Sequence, residues 1–464
     1  MNPSRAIVPA MPYFYEDLVR RYRGGGSCAC GRTHVIGAKE VLVDRGVLAA
    51  SAARLAGSLS SGGRAWVLSD EHTEKAAGRE WKRQARGARI SEKILPGEPK
   101  PVPTIDLVHE LAADIRAAGA ELAVGVGSGV VADLTKHASY EAGVPNWAVV
   151  TAASVDAYTS ATAAIRVEGS HRTLSTRVAE LLACDLDVIA AAPRELFYAG
   201  FGDLLAKIVS YLDWNLARLM TDEYYCPIIA EASLGSARQA LAAAREFAAD
   251  PHAAARTLTD AVLTSGFAMQ SLGGSRVAAS AEHTIAHFWE MADVAGNPRW
   301  NLHGALVGEA SRIVLQAYRR LLAILPTFRP DPRARLAAYD REPPWRERVE
   351  EGVRPFISKV EEEMALRKFD RGILAERLAR FDRRRDDIVA MAIPLLDELA
   401  DAVRVLEELG YPFGLRELGV PAWAAATAVS NVDLLRSRYS LFDLAYELGL
   451  VDEMREAAAE AFRR

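Results

Sequence analysis

Cysteine is scarce in this chain. Four in 464 residues are too few and too scattered for a disulfide framework. A reduced, cytoplasmic setting is therefore the expectation. An excess of basic charge is also missing. Lys and Arg number 56 against 61 Asp and Glu, and the formal charge of -5 argues against a dedicated nucleic-acid binder. No apolar run reaches the length that spans a bilayer. Met1 to Glu16 lacks the basic start and long apolar stretch of a secretory leader. Internal repeats and low-complexity tracts are absent too. What is present is ordinary soluble composition, 50% apolar and 25% charged, which is ample for a core. The length predicts two or three domains.

The N-terminal part alternates strand and helix patterns. Arg64-Ala-Trp-Val-Leu-Ser-Asp70 reads as a buried strand ending in a carboxylate, and Glu71 to Gly87 and Ile105 to Ala118 read as helices. Glu121 to Lys136 gives a strand, a glycine turn and a helix, and Asn146 to Thr151 is a further strand. Such alternation predicts a mainly parallel sheet with crossover helices. Gly125, Gly127 and Gly129 would let backbone approach a ligand. The helix that follows offers N–H groups to phosphate, with Asp133 one turn inside it. The same pattern also arises from packing alone. Thr151 and Ser154 fall at a strand end, where open α/β sheets bind ligands, although they can equally cap a turn. A hairpin is expected around Glu168-Gly169.

From Pro193 onward the pattern becomes helical, with apolar residues every three or four positions through Glu231–Ala249, Ala254–Leu272, Ala279–Ala292 and Ala305–Leu325. The expected division is an α/β domain over 1–180 and an all-α domain over 181–464. A proline- and charge-rich insertion is expected at about 326–420. Arg380, Arg383, Arg384 and Arg385 read as a solvated helix face.

Two groups of residues raise the question of metal. Cys28, Cys30 and His34 form C-x-C-x₃-H, which lacks the second ligand pair of a structural zinc site. A glycine-rich turn with buried thiols is expected there. Asp203 follows Gly200-Phe-Gly, and this pattern predicts a carboxylate at a helix start. His283 and His287 are four apart and share a helix face. His303 follows, beside a turn-permitting glycine. One oxygen and two imidazole nitrogens suit zinc, nickel or iron and leave a coordination position open for a substrate oxygen.

Taken in order, the Gly-Ser-Gly turn, Thr151-Ala-Ala-Ser-x-Asp156, Gly-Phe-Gly-Asp203, Glu282-His-x-x-x-His287 and His303-Gly resemble the sn-glycerol-1-phosphate dehydrogenases. That family lies in the superfamily of iron-containing alcohol dehydrogenases, glycerol dehydrogenase and dehydroquinate synthase. The Cys-x-Cys-Gly-x-x-His start and Arg436-Ser-Arg-Tyr-Ser-Leu-Phe-Asp-Leu-Ala445 are similar to its bacterial branch. The resemblance covers roughly 25–325 and 425–450.

It implies a Rossmann-like parallel sheet followed by helices, and NAD(P)H-linked reduction of dihydroxyacetone phosphate to sn-glycerol 1-phosphate. It implies one divalent metal on Asp203, His283 and His303, with Asp156, Asp203 and His287 bordering the substrate. Gly127, Ser128, Gly129, Val130 and Asp133 would cradle pyrophosphate, with Thr151, Ser154 and Ser160 nearby and Asp70 on the ribose. Arg276, Lys207 and Arg172 are candidates for the substrate phosphate. A homodimer or larger homo-oligomer is also implied. Ala305, Val277, Ala157 and the His171–Arg177 stretch depart from the family pattern, which leaves another carbonyl substrate open. The rival readings are a dehydroquinate-synthase-like enzyme and a non-catalytic nucleotide-binding relative.

Overall fold

A computed structural model describes residues 14–247, 249–367 and 369–462. The leader reading for Met1 to Glu16 thus falls almost wholly outside the described residues, as does Lys368. The described chain opens with the Tyr15–Tyr22 helix and a short antiparallel hairpin, β1 (Gly26–Ser27) and β2 (Thr33–His34). There follow β3 (Glu40–Asp44), β4 (Arg64–Asp70), β5 (Arg89–Leu95), β6 (Leu122–Gly127) and β7 (Asn146–Val150). A second hairpin, β8 (Thr162–Val167) and β9 (Ser170–Ser175), turns at Glu168-Gly169, both in left-handed conformation. Finally β10 (Leu181–Asp185) returns to the main sheet.

That sheet is entirely parallel, in the order β3-β10-β7-β6-β4-β5. Side chains alternate across it, so each face buries its own apolar layer. Ala65, Val67, Val124 and Trp147 pack against Leu48, Leu55 and Trp81 on one face. Trp66, Leu68 and Ala123 pack against Val108, Leu111, Ile115 and Leu134 on the other.

Beyond β10 the described chain is helical. The 28-residue Arg194–Thr221 helix is apolar nearly all round and accordingly buried. It packs against the Pro227–Phe247, His303–Ile324 and Arg371–Glu408 helices. The last of these lies within the stretch expected as an insertion, and it is part of the helical core. Arg383 and Arg384 are exposed on it, but Arg385 is buried, so the arginine run is only partly a solvated face. Among the described residues no helix is long and apolar enough to cross a membrane.

Candidate active site

The Gly200-Phe-Gly stretch is not a turn. It lies inside the Arg194–Thr221 helix, so Asp203 sits in mid-helix rather than at a helix start. The glycines serve packing. A Cβ on Gly200 would collide with the Ala153 carbonyl, and one on Gly202 with the Gly304 carbonyl and the Tyr411 hydroxyl. Gly304 is likewise helical, the second residue of the His303–Ile324 helix, and a Cβ there would collide with the Ala199 carbonyl. Close approach of backbone, of a loop at Gly200 and of a second helix at Gly202 and Gly304, rather than turn formation, is what these glycines permit.

The crossing brings Asp203 beside His303, and the Ala281–Met291 helix adds His283. Ligand atoms of the three lie within 4.8 Å of one another. His283 Nε2 is 3.5 Å from Asp203 Oδ1. Each histidine has a carboxylate on its other nitrogen. His283 Nδ1 donates to Glu282 Oε1 at 2.8 Å, and His303 Nδ1 donates to Glu290 Oε1 at 2.9 Å. Both Nε2 atoms are thereby turned toward Asp203, the carboxylate–histidine pattern of metal sites. The donor set and its spacing fit a divalent metal. The sequence marks Glu282 only as the first residue of its motif and does not mark Glu290, because the pairing of Glu290 with His303 is a tertiary fact.

Asp203 is 1% exposed and fully engaged. Its Oδ2 accepts the Asp156 N–H at 3.0 Å, and its Oδ1 accepts from Lys207 Nζ at 3.0 Å. Lys207 is itself 0% exposed and bonds Asp156 Oδ2 at 2.9 Å and the Ala278 carbonyl at 3.1 Å. Burial alone would push the Asp203 carboxyl up. Lys207, with His283 and His303, outweighs it and holds the group well below the usual carboxylate range. Burial likewise works against the Lys207 ammonium, but Asp156 and Asp203 hold it above its ordinary value. Asp156 also accepts the Ser265 hydroxyl at 2.6 Å. Asp203, Asp156 and Lys207 form a triad of two carboxylates around one ammonium beneath the candidate metal position.

His287 lies one turn beyond His283. Its ring stacks on His171 of β9 with centroids 4.1 Å apart and on His303 at 5.4 Å. Burial, reinforced by the neighbouring imidazoles, lowers its pKa well below the ordinary histidine value, so it is neutral near pH 7. His171, in the stretch that departs from the family pattern, is pushed down by burial to about 4. Its place in the site was not anticipated.

Asp156, Asp203, His283, His303, His287 and His171 border one cavity of about 350 Å³. Its other wall is the start of the Gly129–Ala142 helix, where Ser128, Gly129, Val130 and Asp133 line it together with Ser154, Asp156 and Ser160. The Ser128 side chain makes no cap bond there. The first-turn N–H groups suit an anionic ligand such as a pyrophosphate. Three of the residues named from sequence lie elsewhere. A Cβ on Gly127 would stand 2.6 Å from Val131 Cβ, so this glycine serves strand–helix packing. Thr151 is buried outside the lining, its N–H on the Gly127 carbonyl at 3.2 Å. Asp70 is also outside it, and its Oδ1 caps the next helix through the His72 and Thr73 N–H groups. Asp133 Oδ2 accepts the Ala164 N–H at 3.1 Å and so ties the cavity wall to β8.

The candidates for substrate phosphate are corrected outright. Arg276 pairs with Glu223 and the Tyr439 carbonyl, Lys207 is buried in its triad, and Arg172 pairs with Glu362. None lines the cavity. The basic side chains that do are Lys100, Arg166 and Arg436. Arg166 donates to the Glu290 carbonyl at 2.7 Å. Arg436 has no hydrogen bond or contact ion pair among the described residues. Burial pulls its guanidinium below the ordinary range, with Glu363 and Glu282 only partly opposing.

Residues 43–193 match the family model described as iron-containing alcohol dehydrogenase. The chain is 37% identical over 198 residues to the glycerol-1-phosphate dehydrogenase [NAD(P)+] of Geobacillus thermodenitrificans, covering 43% of this chain and 49% of that one. It is 31% identical over 316 residues to the protein of the same name from Geobacillus stearothermophilus, covering 66% and 76%. The chain thus spans about half the length of the Geobacillus thermodenitrificans relative, and likewise of the glycerol-1-phosphate dehydrogenase [NAD(P)+] of Halalkalibacterium halodurans. In structure it superposes on glycerol dehydrogenase from Schizosaccharomyces pombe with a TM-score of 0.57, at 15% identity and 92% and 89% coverage, a likeness of fold.

Proposed function

The chain belongs to the glycerol-1-phosphate dehydrogenase family, and from that premise we propose that it reduces dihydroxyacetone phosphate to sn-glycerol 1-phosphate with NAD(P)H and one divalent metal. The observation that carries this reading is the meeting of Asp203, His283 and His303 with the Gly129–Ala142 helix N-terminus in one cavity. Asp203, His283 and His303 would hold zinc, nickel or iron. Ser128, Gly129 and Val130 would hold the cofactor pyrophosphate. When bound, the nicotinamide supplies hydride and the metal supplies Lewis acidity toward a carbonyl.

The remaining work falls to the chain's own side chains. Glu282 and Glu290 fix the tautomers of His283 and His303. Lys207 and the Asp156 N–H hold the Asp203 carboxylate in place, and the Lys207 ammonium opposes its charge in the dry interior. Neutral His287 has one ring N–H to give and one ring nitrogen to accept with, so it suits passing a proton to the nascent alcohol rather than storing one. Arg436 offers an unengaged guanidinium, the group best shaped for a substrate phosphate. Lys100 at the exposed rim adds charge on the approach. A homo-oligomer, expected from the resemblance, is part of the same proposal and is checked by sedimentation; the cytoplasmic setting, expected from the scarcity of cysteine, is proposed with it.

The test is NADH and NADPH oxidation with dihydroxyacetone phosphate after loading with zinc, nickel or iron, with the stereochemistry of the product determined. Metal-dependent turnover to the sn-1 phosphate is expected, and His283→Ala should abolish it. Absence of ketone-dependent oxidation under every metal and both cofactors would overturn the proposal. Formation of a product without net NAD(P)H consumption would instead point to dehydroquinate-synthase-like chemistry.

A further inference from the structure

The N-terminal hairpin carries a second cluster of metal-ligating side chains, remote in sequence from the cavity residues and of different chemistry. Cys28 lies just beyond β1, Cys30 lies in the loop, and His34 ends β2. The fourth member, Cys226, comes from the residue that precedes the Pro227–Phe247 helix. Ligand atoms of all four lie within 4.8 Å of one another. Cys28 Sγ is 3.7 Å from Cys226 Sγ, Cys226 Sγ is 3.5 Å from His34 Nε2, and Cys30 Sγ is 3.2 Å from His34 Nε2. All four cysteines of the chain are free thiols, the fourth being Cys184 in β10.

We propose that Cys28, Cys30, His34 and Cys226 bind one zinc ion as a closed, structural Cys₃His site. A tetrahedral zinc with Zn–S near 2.3 Å and Zn–N near 2.0–2.1 Å sets its ligands about 3.5–3.8 Å apart. Two of the three separations fall there, and the third needs only a few tenths of an ångström. The surroundings are those of a site. His34 Nδ1 donates to the Ser271 carbonyl at 2.8 Å, which fixes the tautomer and leaves Nε2 for the metal. Tyr22 donates its hydroxyl to Cys28 Sγ at 3.3 Å, and Tyr224 its hydroxyl to Cys30 Sγ at 3.0 Å. Arg32 lies over the Tyr224 ring, 3.4 Å from its centroid, and packs the ring that donates to Cys30.

The sequence expectation of buried thiols in a glycine turn had no fourth ligand to weigh, because that ligand is tertiary. C-x-C-x₃-H supplies three ligands, and the helical region supplies the last. The site also answers a physical need. A hairpin with two residues per strand is not stable alone. Zinc would pin it, and the Tyr15–Tyr22 helix before it, onto the helical region, as structural zinc does in other small elements. Three soft thiolates and one imidazole leave no open position, so a structural rather than a catalytic ion is the fit. The inference is independent of the proposed reaction.

The test uses the full chain expressed with cobalt in place of zinc. The cavity site has no thiolate ligand, so a thiolate-to-cobalt charge-transfer band in the near ultraviolet reports the hairpin site alone. The wild type should show that band together with the strong visible bands of tetrahedral cobalt. Cys226→Ser should abolish or reshape it, while Cys184→Ser should leave it unchanged. Should Cys226→Ser fail to fold, the wild type still decides. Titration of the zinc protein with a mercurial should release one zinc per chain in step with loss of the three thiols. A cobalt protein without the charge-transfer band, thiols that react equally fast with and without chelator, or a Cys28–Cys226 disulfide in the protein as isolated would each overturn the proposal.

Discussion

Gly202 and Gly304 face each other across a helix crossing so tight that a Cβ on the first would collide with the carbonyl oxygen of the second. Their neighbours Asp203 and His303 are two of the three proposed metal ligands. Adding one methyl group at Gly202 therefore forces the two helices apart, because the obstacle is backbone and cannot rotate away. Gly202→Ala should cost about 1–3 kcal/mol of stability, the usual penalty for overpacking a filled core. It should also weaken metal binding. Thermal melting and calorimetric metal titration check both. A variant with wild-type metal affinity would show that the crossing does not set the ligand geometry.

Glu290 is the carboxylate behind His303, and its other oxygen has no hydrogen-bond partner among the described residues. Glu290→Gln keeps the shape but weakens the bond to His303 Nδ1. Metal affinity should fall by about 10–100-fold, the usual effect of losing such a partner. Competition against a chromogenic chelator measures it. Should affinity stay at the wild-type level, the carboxylate would be a packing residue only.

Arg436 lines the cavity and makes no hydrogen bond or contact ion pair among the described residues, so its removal breaks no direct contact. Arg436→Met should lower kcat/KM for dihydroxyacetone phosphate by about tenfold to a hundredfold, the loss of one charge-assisted contact of about 1.5–3 kcal/mol. Unphosphorylated dihydroxyacetone should be unaffected. Equal losses on both ketones would remove Arg436 from phosphate recognition.

Sequence made the middle of the sheet legible and left its flanks obscure, for physical reasons. β4, β6 and β7 are buried apolar runs that end at turn residues, and such runs declare themselves. β5, Arg89-Ile-Ser-Glu-Lys-Ile-Leu95, is an edge strand with charged residues facing solvent, so its pattern imitates a loop. β3 is the other edge, and β10 is a short Leu-Leu-Ala run that reads equally well as helix. Gly202 and Gly304 were taken for turn glycines because a glycine tolerated inside a helix announces itself only through the partner it admits. His171, Glu290 and Cys226 join their clusters through the fold, and no local pattern marks them. The motif at Glu282-His-x-x-x-His287, by contrast, needs only helical spacing to put both rings on one face.

Asp213 gives a pH prediction away from both clusters. It is buried in the Arg194–Thr221 helix, accepting Ser280 Oγ at 2.6 Å, the Tyr318 hydroxyl at 2.9 Å and the Leu441 N–H at 3.1 Å. Burial pushes its carboxyl up to about 7, with the hydrogen bonds and Arg276 only partly opposing. In the unfolded chain it ionises near 3.8. Between those values the folded state holds a proton that the unfolded state has released, so stability falls as pH rises from about 4 to about 7. The shift of roughly three pH units corresponds to at most about 4 kcal/mol. Asp213→Asn cannot ionise, and its amide can still accept from the Leu441 N–H and donate to Ser280. Denaturant melts across pH 4 to 8 should therefore show the wild type losing stability relative to Asp213→Asn as pH climbs, most steeply about midway between the two values, and levelling off above about pH 7. A constant difference between the two proteins over that range would mean that Asp213 is already ionised in the fold at pH 4.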